Sequence, residues 1–557
     1  MIVFLPFAFY TYKMYFTNMV IIMKRILQII TFAVCILNVA SATIIHIPED
    51  YPAIQQGIDA AVEGDTVLVY EGTYYENLNF NGNNIVVIST SSYYEENANL
   101  FLPIIDGGQN GSVVTFESGE NSTAMLDGFW ITNGQGGGQP SNSIWGGGVT
   151  IKNESSPTLT HLSIFDNESI GYWGRGSGIF IADNSNSIIK NVSIEQNNSV
   201  YLGGGIYCEN SSPELININI RNNFAHEGAG LFFTQCEFEI NQSSIKDNGV
   251  NDIDIPCLNG GGLSISSESN GTIKNTVIAS NITQMSGGGI LVKYSSNLIL
   301  ENVTIDDNEA QCGGGINLYD YSAVQISNSI IWSNSQEGIY SSPPGFEWGP
   351  TEVTISYTDI ENGQDGVYAV GGSLNWLNGN IDTDPLFVDP DNGDFNLQEG
   401  SPCIDAGTPF FVWEGDTLVN MSPDEYLGSA PDMGAFEYGT VSISNQSPVT
   451  PHQFVLHQNY PNPFNPVTTI RFDIPVETTG SVVSGRRSGG TSLHIFDVKG
   501  RLVETLIDGA MESGSHSVIW NASDVASGVY IYRIMARQKD DGKARDFTQT
   551  RKMVLLK

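Results

Sequence analysis

Three aromatic residues at corresponding positions of a repeated segment are the strongest candidates for chemistry in this 557-residue chain. Phe180, Tyr207 and Phe232 are each the second residue of a short apolar stretch that follows a glycine-rich step. Because neighbouring strands lie about 4.8 Å apart, three such rings facing solvent would form a flat platform on which sugar rings could stack. Adjoining loops carry Trp173 and Tyr201 and would bury the rings if they folded over them. The sequence leaves both outcomes open.

Acid–base chemistry has few candidates on the same face. Only Glu209 is a carboxylate among the outward positions of these stretches. The repeat region holds two arginines, Arg175 and Arg221, and Lys246 follows Arg221 one repeat later in a column that also contains Glu195. An ion ladder along that column is a better interpretation than a catalytic base. No catalytic residue is therefore predicted.

A repeat of 25 to 32 residues positions these side chains along the middle of the chain. Apolar residues at alternate positions after each glycine-rich step point inward by the period-two rule of strands. The first inward column is Val149, Ile179, Ile206, Leu231, Leu263, Ile290 and Ile316, and the second is Ile151, Ile181, Cys208, Phe233, Ile265, Val292 and Leu318. A period of this length is typical of a solenoid.

Each repeat also contains a predicted bend. Two further apolar columns are three residues apart, an odd spacing that would turn a straight strand inside out. Asparagine, which tolerates a left-handed bend better than most residues, stands there at Asn191, Asn217, Asn275 and Asn302. A second asparagine column closes the last strand at Asn167, Asn197, Asn223, Asn248, Asn281 and Asn308. Three strands per repeat predict an all-β fold, the right-handed parallel β-helix.

The repeats resemble the pectin-lyase-like β-helix superfamily, and their GGGI and IxxN patterns are similar to those of bacterial surface β-helix proteins. The stretch 47–74 resembles the usual first turn, where Ile54, Ile58, Ala61 and Val62 at helical spacing predict an amphipathic cap on the open end of the core. For the pectate lyases and polygalacturonases of this fold, the resemblance implies clustered carboxylates on the outer face of the first strand. This chain departs from that pattern, so a polysaccharide lyase or glycoside hydrolase is the alternative interpretation.

The end of the chain resembles the type IX secretion C-terminal sorting domain. The motifs that carry the resemblance lie at 458–466, 469–472, 496–501, 528–530 and 552–557. The resemblance implies a small Ig-like β-sandwich after the solenoid. It also implies recognition by an outer-membrane translocon, and hence a Gram-negative source.

The chain divides into four predicted parts. Residues 1–42 predict a signal peptide cleaved after Ala42, with 1–22 an extension that arises from a mis-start upstream of Met23; an uncleaved anchor is the alternative. Residues 43–383 form the β-helix with its helical cap, 384–445 a C-terminal capping segment and linker, and 446–557 the sorting domain. No stretch of the mature chain is apolar enough to span a bilayer.

The net charge and the cysteine positions limit which ligands, metal sites and disulfides the sequence predicts. A net charge of −38 excludes nucleic acid, because an acidic surface repels phosphates, and it disfavours polyanionic glycans. The five cysteines after the predicted signal peptide, at 208, 236, 257, 312 and 403, are scattered, so neither a metal site nor a disulfide framework is predicted. Asp389, Asp391 and Asp394 could hold Ca²⁺, although a plain turn is the better interpretation.

These features predict an exported protein at the cell surface or secreted, which works in adhesion or carbohydrate binding without catalysis. Its partners would be the type IX secretion machinery and a polysaccharide or cell-surface glycan. The predicted ligand contacts are Phe180, Tyr207 and Phe232, and no cofactor is required. A polysaccharide lyase or hydrolase and a passive surface-layer spacer are the two alternatives.

Overall fold

The computed structural model describes most of the chain beyond residue 41. The described residues are 19, 23–24, 42–93, 102–136, 145–169, 173–249, 257–341, 349–370, 372–439, 455–456, 459, 464, 466–474, 491–497, 499, 501–509, 514–523, 525–540 and 543–556. The predicted signal peptide therefore lies almost wholly outside the described residues.

The strands that follow the glycine-rich steps form one parallel sheet, here named the glycine-side sheet. Its register pairs Val149 with Ile179, and Ile179 with Ile206, so the predicted inward columns are confirmed. Its eleven described strands are Leu78–Asn79, Val114–Phe116, Val149–Ile151, Ile179–Ile181, Ile206–Glu209, Leu231–Thr234, Leu263–Ser266, Ile290–Val292, Ile316–Leu318, Ile339–Ser341 and Val367–Ala369. The solenoid thus continues past both ends of the glycine-rich repeats.

The other two strands of each coil form a second parallel sheet, here named the bent sheet. Left-handed φ angles of 55°, 50°, 48° and 54° at Asn191, Asn217, Asn275 and Asn302 confirm the predicted bend. Its described strands are Ile44–Ile47, Thr66–Val69, Thr73–Tyr75, Val86–Ser89, Ile104–Asp106, Met125–Asp127, Trp130–Thr132, Thr158–Thr160, Ser163–Phe165, Ile188–Glu195, Glu214–Arg221, Glu237–Asn241, Ser244–Lys246, Asn270–Ala279, Asn297–Asp306, Ala323–Ser327, Ile330–Trp332, Glu352–Ser356, Asp359–Ile360 and Ser373–Trp376. Four of them run unbroken through the bend. The fold is a right-handed parallel β-helix.

A helix covers the first coil. Helix α1 (Ile54–Ala60) buries Ile54 and Ile58 completely against the core. Both carboxylate oxygens of Glu76 accept hydrogen bonds from the unpaired amides of Ile54 and Gln55, at 2.8 and 2.9 Å, which satisfies the helix N-terminus. The amphipathic cap is therefore present, but it ends before Val62, which is 53% exposed. A second helix, α2, spans Thr90–Tyr93.

The segment 384–439, here named the lateral segment, packs beside the solenoid. Its Phe387, Leu397 and Met433 bury against Val277 and Ile330, whose side chains project from the outer face of the bent sheet. The segment contains the hairpins Phe387–Asp389 with Asp394–Leu397 and Phe410–Trp413 with Asp416–Asn420. These contacts lie along the side of several coils, and coverage of the end of the core by this segment stays a prediction.

Hydrogen bonds fix the lateral segment in place. Asn328 and Thr408 exchange two of them, each 2.9 Å long, and the amide of Ala435 donates to Thr304 Oγ1 at 3.0 Å. The predicted Ca²⁺ candidates lie in this segment, where Pro390–Asn392 form a 3₁₀ turn.

Two small elements lie outside the lateral segment. A further 3₁₀ turn spans Gly363–Gly366, and the short strand Glu168–Ser169 pairs with Asn198–Ser199.

The tail has a core of its own, built around Trp520, Phe472 and Tyr532. Its described strands form two antiparallel sheets, compatible with the predicted Ig-like sandwich. One sheet contains Val455–Leu456, Val467–Ile474 and Gly514–Asn521, and the other contains Thr491–Asp497, Leu502–Gly509, Gly528–Asp540 and Lys543–Leu555.

Candidate functional site

The three predicted aromatic residues stack on the outer side of the glycine-side sheet. Parallel pairing sets Phe180 beside Tyr207 and Tyr207 beside Phe232. The ring centroids are 5.4 and 5.5 Å apart, with interplanar angles of 8° and 7°. These side chains belong to a cluster separate from the main core. Their predicted outward direction is confirmed, and the rings stack on one another.

Of the two outcomes that the sequence leaves open, the structure has the buried one. Phe180, Tyr207 and Phe232 are only 7%, 2% and 6% exposed. Trp145 stacks against Phe180 at 6.0 Å, and Leu202 joins the same buried cluster. The rings therefore offer no open platform, and their contact with a ligand remains a prediction that requires the covering turn to open.

A left-handed glycine explains the cover. Gly176 has φ +61°, and a Cβ atom there would lie 3.0 Å from the Cβ of Tyr207. Gly228, with the same φ, would approach the Cβ of Phe232 equally closely. A side chain is thus excluded at both positions, since L residues rarely adopt this backbone conformation. The glycine steps fold the backbone over the outward column, which an alternating pattern of strand residues does not reveal.

Glu209 forms a polar cluster with Tyr207 and Arg175 at the edge of this stack. Arg175 Nη1 donates to Tyr207 Oη at 3.1 Å and lies 3.4 Å from Glu209 Oε2, while Tyr207 Oη donates to the same carboxylate oxygen at 3.0 Å. Burial raises the pKa of the Tyr207 phenol. The predicted outward carboxylate is therefore neutralised by an arginine.

A second carboxylate on this face escaped the sequence analysis. Glu227 lies 2.6 Å from Lys293 Nζ and accepts a hydrogen bond from Ser264 Oγ at 2.6 Å. The side chains of Glu227 and Lys293 are 12% and 9% exposed, so the ion pair is largely buried. Glu227 directly precedes a left-handed glycine, and its side chain reaches forward to the following coils. The sequence pattern that could have revealed Glu227 is the row of residues that directly precede the left-handed glycines of the repeats.

The outward column becomes aromatic again near the C-terminal end of the solenoid. Register places Asn317, Tyr340 and Tyr368 side by side, and the two tyrosine rings stack at 4.8 Å with an interplanar angle of 11°. Tyr368 is 40% exposed, and Tyr340 is half-buried. We name this pair the tyrosine platform.

The cover reaches Tyr340 and ends before Tyr368. A Cβ atom at Gly313 would lie 3.0 Å from the Cβ of Tyr340, so Tyr340 is the more buried of the pair. In the earlier coils a row of bridged residues, Arg175, Leu202, Glu227, Asn259, Ser286 and Cys312, crosses the outward column. Within the described residues this row ends at Cys312. The platform could not be predicted from the glycine repeat, because these coils lack the full glycine step, although Gly338 and Gly366 directly precede their strands.

Further tyrosines lie at the neighbouring turns. Tyr294 and Tyr321 are 43% and 62% exposed and have left-handed φ angles of 56° and 58°. Tyr294 also meets Tyr319 edge to face at 5.7 Å. A bulky residue in this conformation is uncommon, and such strain clusters at functional sites. The turns thus add exposed aromatic surface at this end of the solenoid.

The predicted ion ladder lies on the bent sheet, away from the tyrosine platform. Arg221 Nη2 lies 2.8 Å from Glu195 Oε2, and Lys246 is paired with Arg221 on the next coil. The glutamate–arginine contact confirms the structural interpretation of these charges. Burial lowers the pKa of Lys246, whose amine lies beside Gly393 of the lateral segment.

Among the residues that the structure describes, no group of three His, Cys, Asp or Glu side chains is arranged to hold a metal ion. Asn392 donates to Asp389 within the 3₁₀ turn at 2.8 Å, as expected for a plain turn; Ca²⁺ binding there stays a prediction. No described helix is long and apolar enough to cross a bilayer.

Comparison with known proteins gives two family matches. A family described as the right handed beta helix region matches residues 67–235 and 205–385, more than half of the chain. A second, the secretion system C-terminal sorting domain, matches residues 458–544. No curated protein matches the chain.

Two solved structures show a weak likeness. The receptor-binding protein of bacteriophage Det7, a podoviral tailspike in a myovirus, is 10% identical with a TM-score of 0.21, covering 94% of this chain and 100% of that one. The siphovirus 9NA tailspike receptor binding domain is 10% identical with a TM-score of 0.22, covering 92% and 99%. At these TM-scores neither likeness bears on function.

Proposed function

Because the chain belongs to the right-handed β-helix family and carries a secretion-system sorting domain, which indicates export to the cell surface or secretion, we propose that it is a non-catalytic carbohydrate-binding adhesin. The observation that carries this proposal is the tyrosine platform, Tyr340 and Tyr368. Their parallel rings lie 4.8 Å apart at the surface of an extended solenoid.

The chemistry of the platform suits a sugar. Tyrosine combines a flat apolar face with a hydroxyl group that takes part in hydrogen bonds. The two rings stack on each other, so one face of each is covered. The outer face of Tyr368, on the last strand of the glycine-side sheet, and the hydroxyl-bearing edges of the pair are the surface for a ligand, and exposed aromatic surface of this kind marks binding sites. The chain's net charge of −38 repels polyanions. The favoured ligand class is therefore a neutral glycan.

The charge pairing on this face supports binding rather than catalysis. Glu209 is paired with Arg175 and Glu227 with Lys293. Glycoside hydrolysis uses two carboxyl groups, one as acid and one as base or nucleophile, and a carboxylate held by a cation is a poor base. A polysaccharide lyase or hydrolase remains the alternative from another class, and a passive surface-layer spacer is the third.

A glycan array of the exported protein tests the proposal. We expect retention of a neutral glycan, with affinity reduced about tenfold or more in the Tyr340→Ala/Tyr368→Ala double variant, since a stacking contact contributes roughly 1–3 kcal/mol in the nearest analogue, base stacking. The melting temperature should hardly change. Tyr75→Ala is the matched control, because Tyr75 is 77% exposed at the other end of the solenoid.

Three outcomes would contradict the proposal. Equal binding by the double variant would remove the platform from the site. Absence of any glycan binding would favour the spacer. Release of unsaturated uronate products, followed by ultraviolet absorbance, would favour the lyase. Because we propose no metal at this site, a chelator should leave glycan retention unchanged.

A further inference from the structure

Two cysteines from adjacent coils meet inside the solenoid. Cys208 Sγ and Cys236 Sγ are 3.0 Å apart, closer than the roughly 3.5–4.0 Å of ordinary contacts between heavy atoms. The two residues are 0% and 1% exposed. A sulfur–sulfur bond is about 2.05 Å long, so a movement of about 1 Å would join them.

Each cysteine departs from the residue type of its column. Cys208 stands in an inward column between Ile181 and Phe233. Cys236 stands in a row of serines whose hydroxyl groups accept backbone hydrogen bonds from the preceding coil. The amide of Ser185 donates to Ser211 Oγ at 3.0 Å, and that of Cys236 donates to Ser269 Oγ at 3.1 Å. The two residues that differ in type from the rest of their columns are thus the two whose side chains meet.

Export changes the redox setting of this pair. The sorting domain indicates that the chain leaves the reducing cytosol, and disulfides form and persist in oxidising compartments such as the periplasm. We propose that Cys208 and Cys236 form a single disulfide that clamps two neighbouring coils in the exported protein. The bond would close a loop of 28 residues, which restricts the unfolded chain.

Thiol–disulfide exchange supplies the chemistry, with a disulfide-bearing oxidant met during export. The thiolate of one cysteine attacks the oxidant's disulfide, forms a mixed disulfide and expels one thiolate. The thiolate of the other cysteine then attacks the sulfur of the first and expels the second thiolate. Two protons and two electrons leave the cysteine pair, and the oxidant becomes a dithiol. Because both sulfurs are buried in the finished solenoid, the reaction precedes closure of these coils.

The electrostatics of the closed coils agree with this timing. Burial raises the pKa of the Cys208 thiol well above its usual range, and a buried thiol of this kind is a poor nucleophile. Oxidation therefore belongs to the stage before these coils close.

Alkylation of the exported full-length protein tests the clamp. The protein is denatured without reductant and treated with iodoacetamide. Of the five cysteines at 208, 236, 257, 312 and 403, three should be labelled, and all five after reduction. A digest of the unreduced protein should contain a peptide that links Cys208 to Cys236 and lacks the mass of two hydrogen atoms.

Two variants test whether the link is specific to Cys208 and Cys236. Cys236→Ser restores the residue type of the row and should label at all four remaining cysteines without reduction. Cys257→Ser, at another buried thiol, should keep the linked peptide. Reductant should lower the melting temperature of the parent and of Cys257→Ser, but not of Cys236→Ser. Labelling of all five cysteines in the unreduced parent, or a link to a different cysteine, would overturn the proposal.

Discussion

At the scale of single residues, the left-handed asparagines decide where each coil turns. Asn217 has φ 50° and donates to the side chain of Asn191 at 2.7 Å. The bend was predictable because the odd spacing of two apolar columns demands it, whatever the residue. Other coils accordingly place His161 and Gln242 there, at φ 50° and 52°.

Substitution of Asn217 tests the cost of this conformation. Asn217→Val should lower the free energy of unfolding by about 1–2 kcal/mol, because a β-branched side chain resists the left-handed region. Asn217→Gly should be nearly neutral, since glycine adopts that region freely. Denaturant unfolding of both variants measures the difference. Equal stabilities would show that the bend tolerates any side chain.

Buried carboxylates beneath the lateral segment should make stability depend on pH. Asp306 is 4% exposed, and burial, with Asp307, Glu361 and Asp391 nearby, raises its pKa to about 7. The folded protein therefore holds a proton that the unfolded chain releases above about pH 4. Stability is fully present below that value and is lost as the pH rises through 7.

The measurement is the melting temperature between pH 5 and pH 8. We expect it to fall across this interval, and Asp306→Asn should flatten most of the fall. Asp359, whose pKa burial raises to about 6, acts in the same direction and accounts for the remaining slope. A melting temperature that rises with pH in the parent would contradict the assignment.

At the scale of elements, a row of asparagine side chains ties the coils together. Asn223 Nδ2 donates to Asn248 Oδ1 at 3.1 Å, and Asn223 Oδ1 accepts from Asn197 Nδ2 at 3.0 Å. The same oxygen accepts from the amide of Asn197 at 3.1 Å. The sequence analysis placed these asparagines at the end of a strand. Their inward direction requires the turn geometry, which residue spacing alone does not supply.

Removal of one amide from this row should be costly. Asn223→Ala leaves the buried backbone amide of Asn197 without its acceptor and removes the side-chain donor of the Ile194 carbonyl, at roughly 1–3 kcal/mol each, so we expect a loss of about 2–4 kcal/mol in the free energy of unfolding. Asn334→Ala is the control. Asn334 ends the described row and is only half-buried, so water can replace it. Similar losses for the two variants would refute the buried network as the cause.

The position of the lateral segment could not be predicted from the repeat pattern. A solenoid needs its ends covered, so a terminal segment was expected there. The contacts that the structure describes bury Val277, Ala279 and Ile330, which are apolar residues on the outward side of the bent sheet. Those outward apolar positions were visible in the sequence. Their partner was not, because its contacts cross coils that are distant in the chain.

At the scale of the whole molecule, two cores divide the chain. The solenoid core runs from Ile47 to Val367, and the tail builds its own around Trp520. Each coil of a solenoid is stabilised by its neighbours. We therefore expect the sorting domain to direct export and the solenoid to fold without it.

Deletion of residues 446–557 separates these two roles. The truncated chain should keep the melting temperature and β-rich circular dichroism of the parent solenoid, because every coil retains its neighbours. It should accumulate in the periplasm, since the part that the translocon recognises is missing. Protease treatment of intact cells, followed by fractionation, distinguishes the two locations, with the full-length chain as the control. Cleavage of the truncated protein on intact cells would show that the solenoid carries its own export signal, whereas loss of its melting transition would show that the tail also stabilises the solenoid.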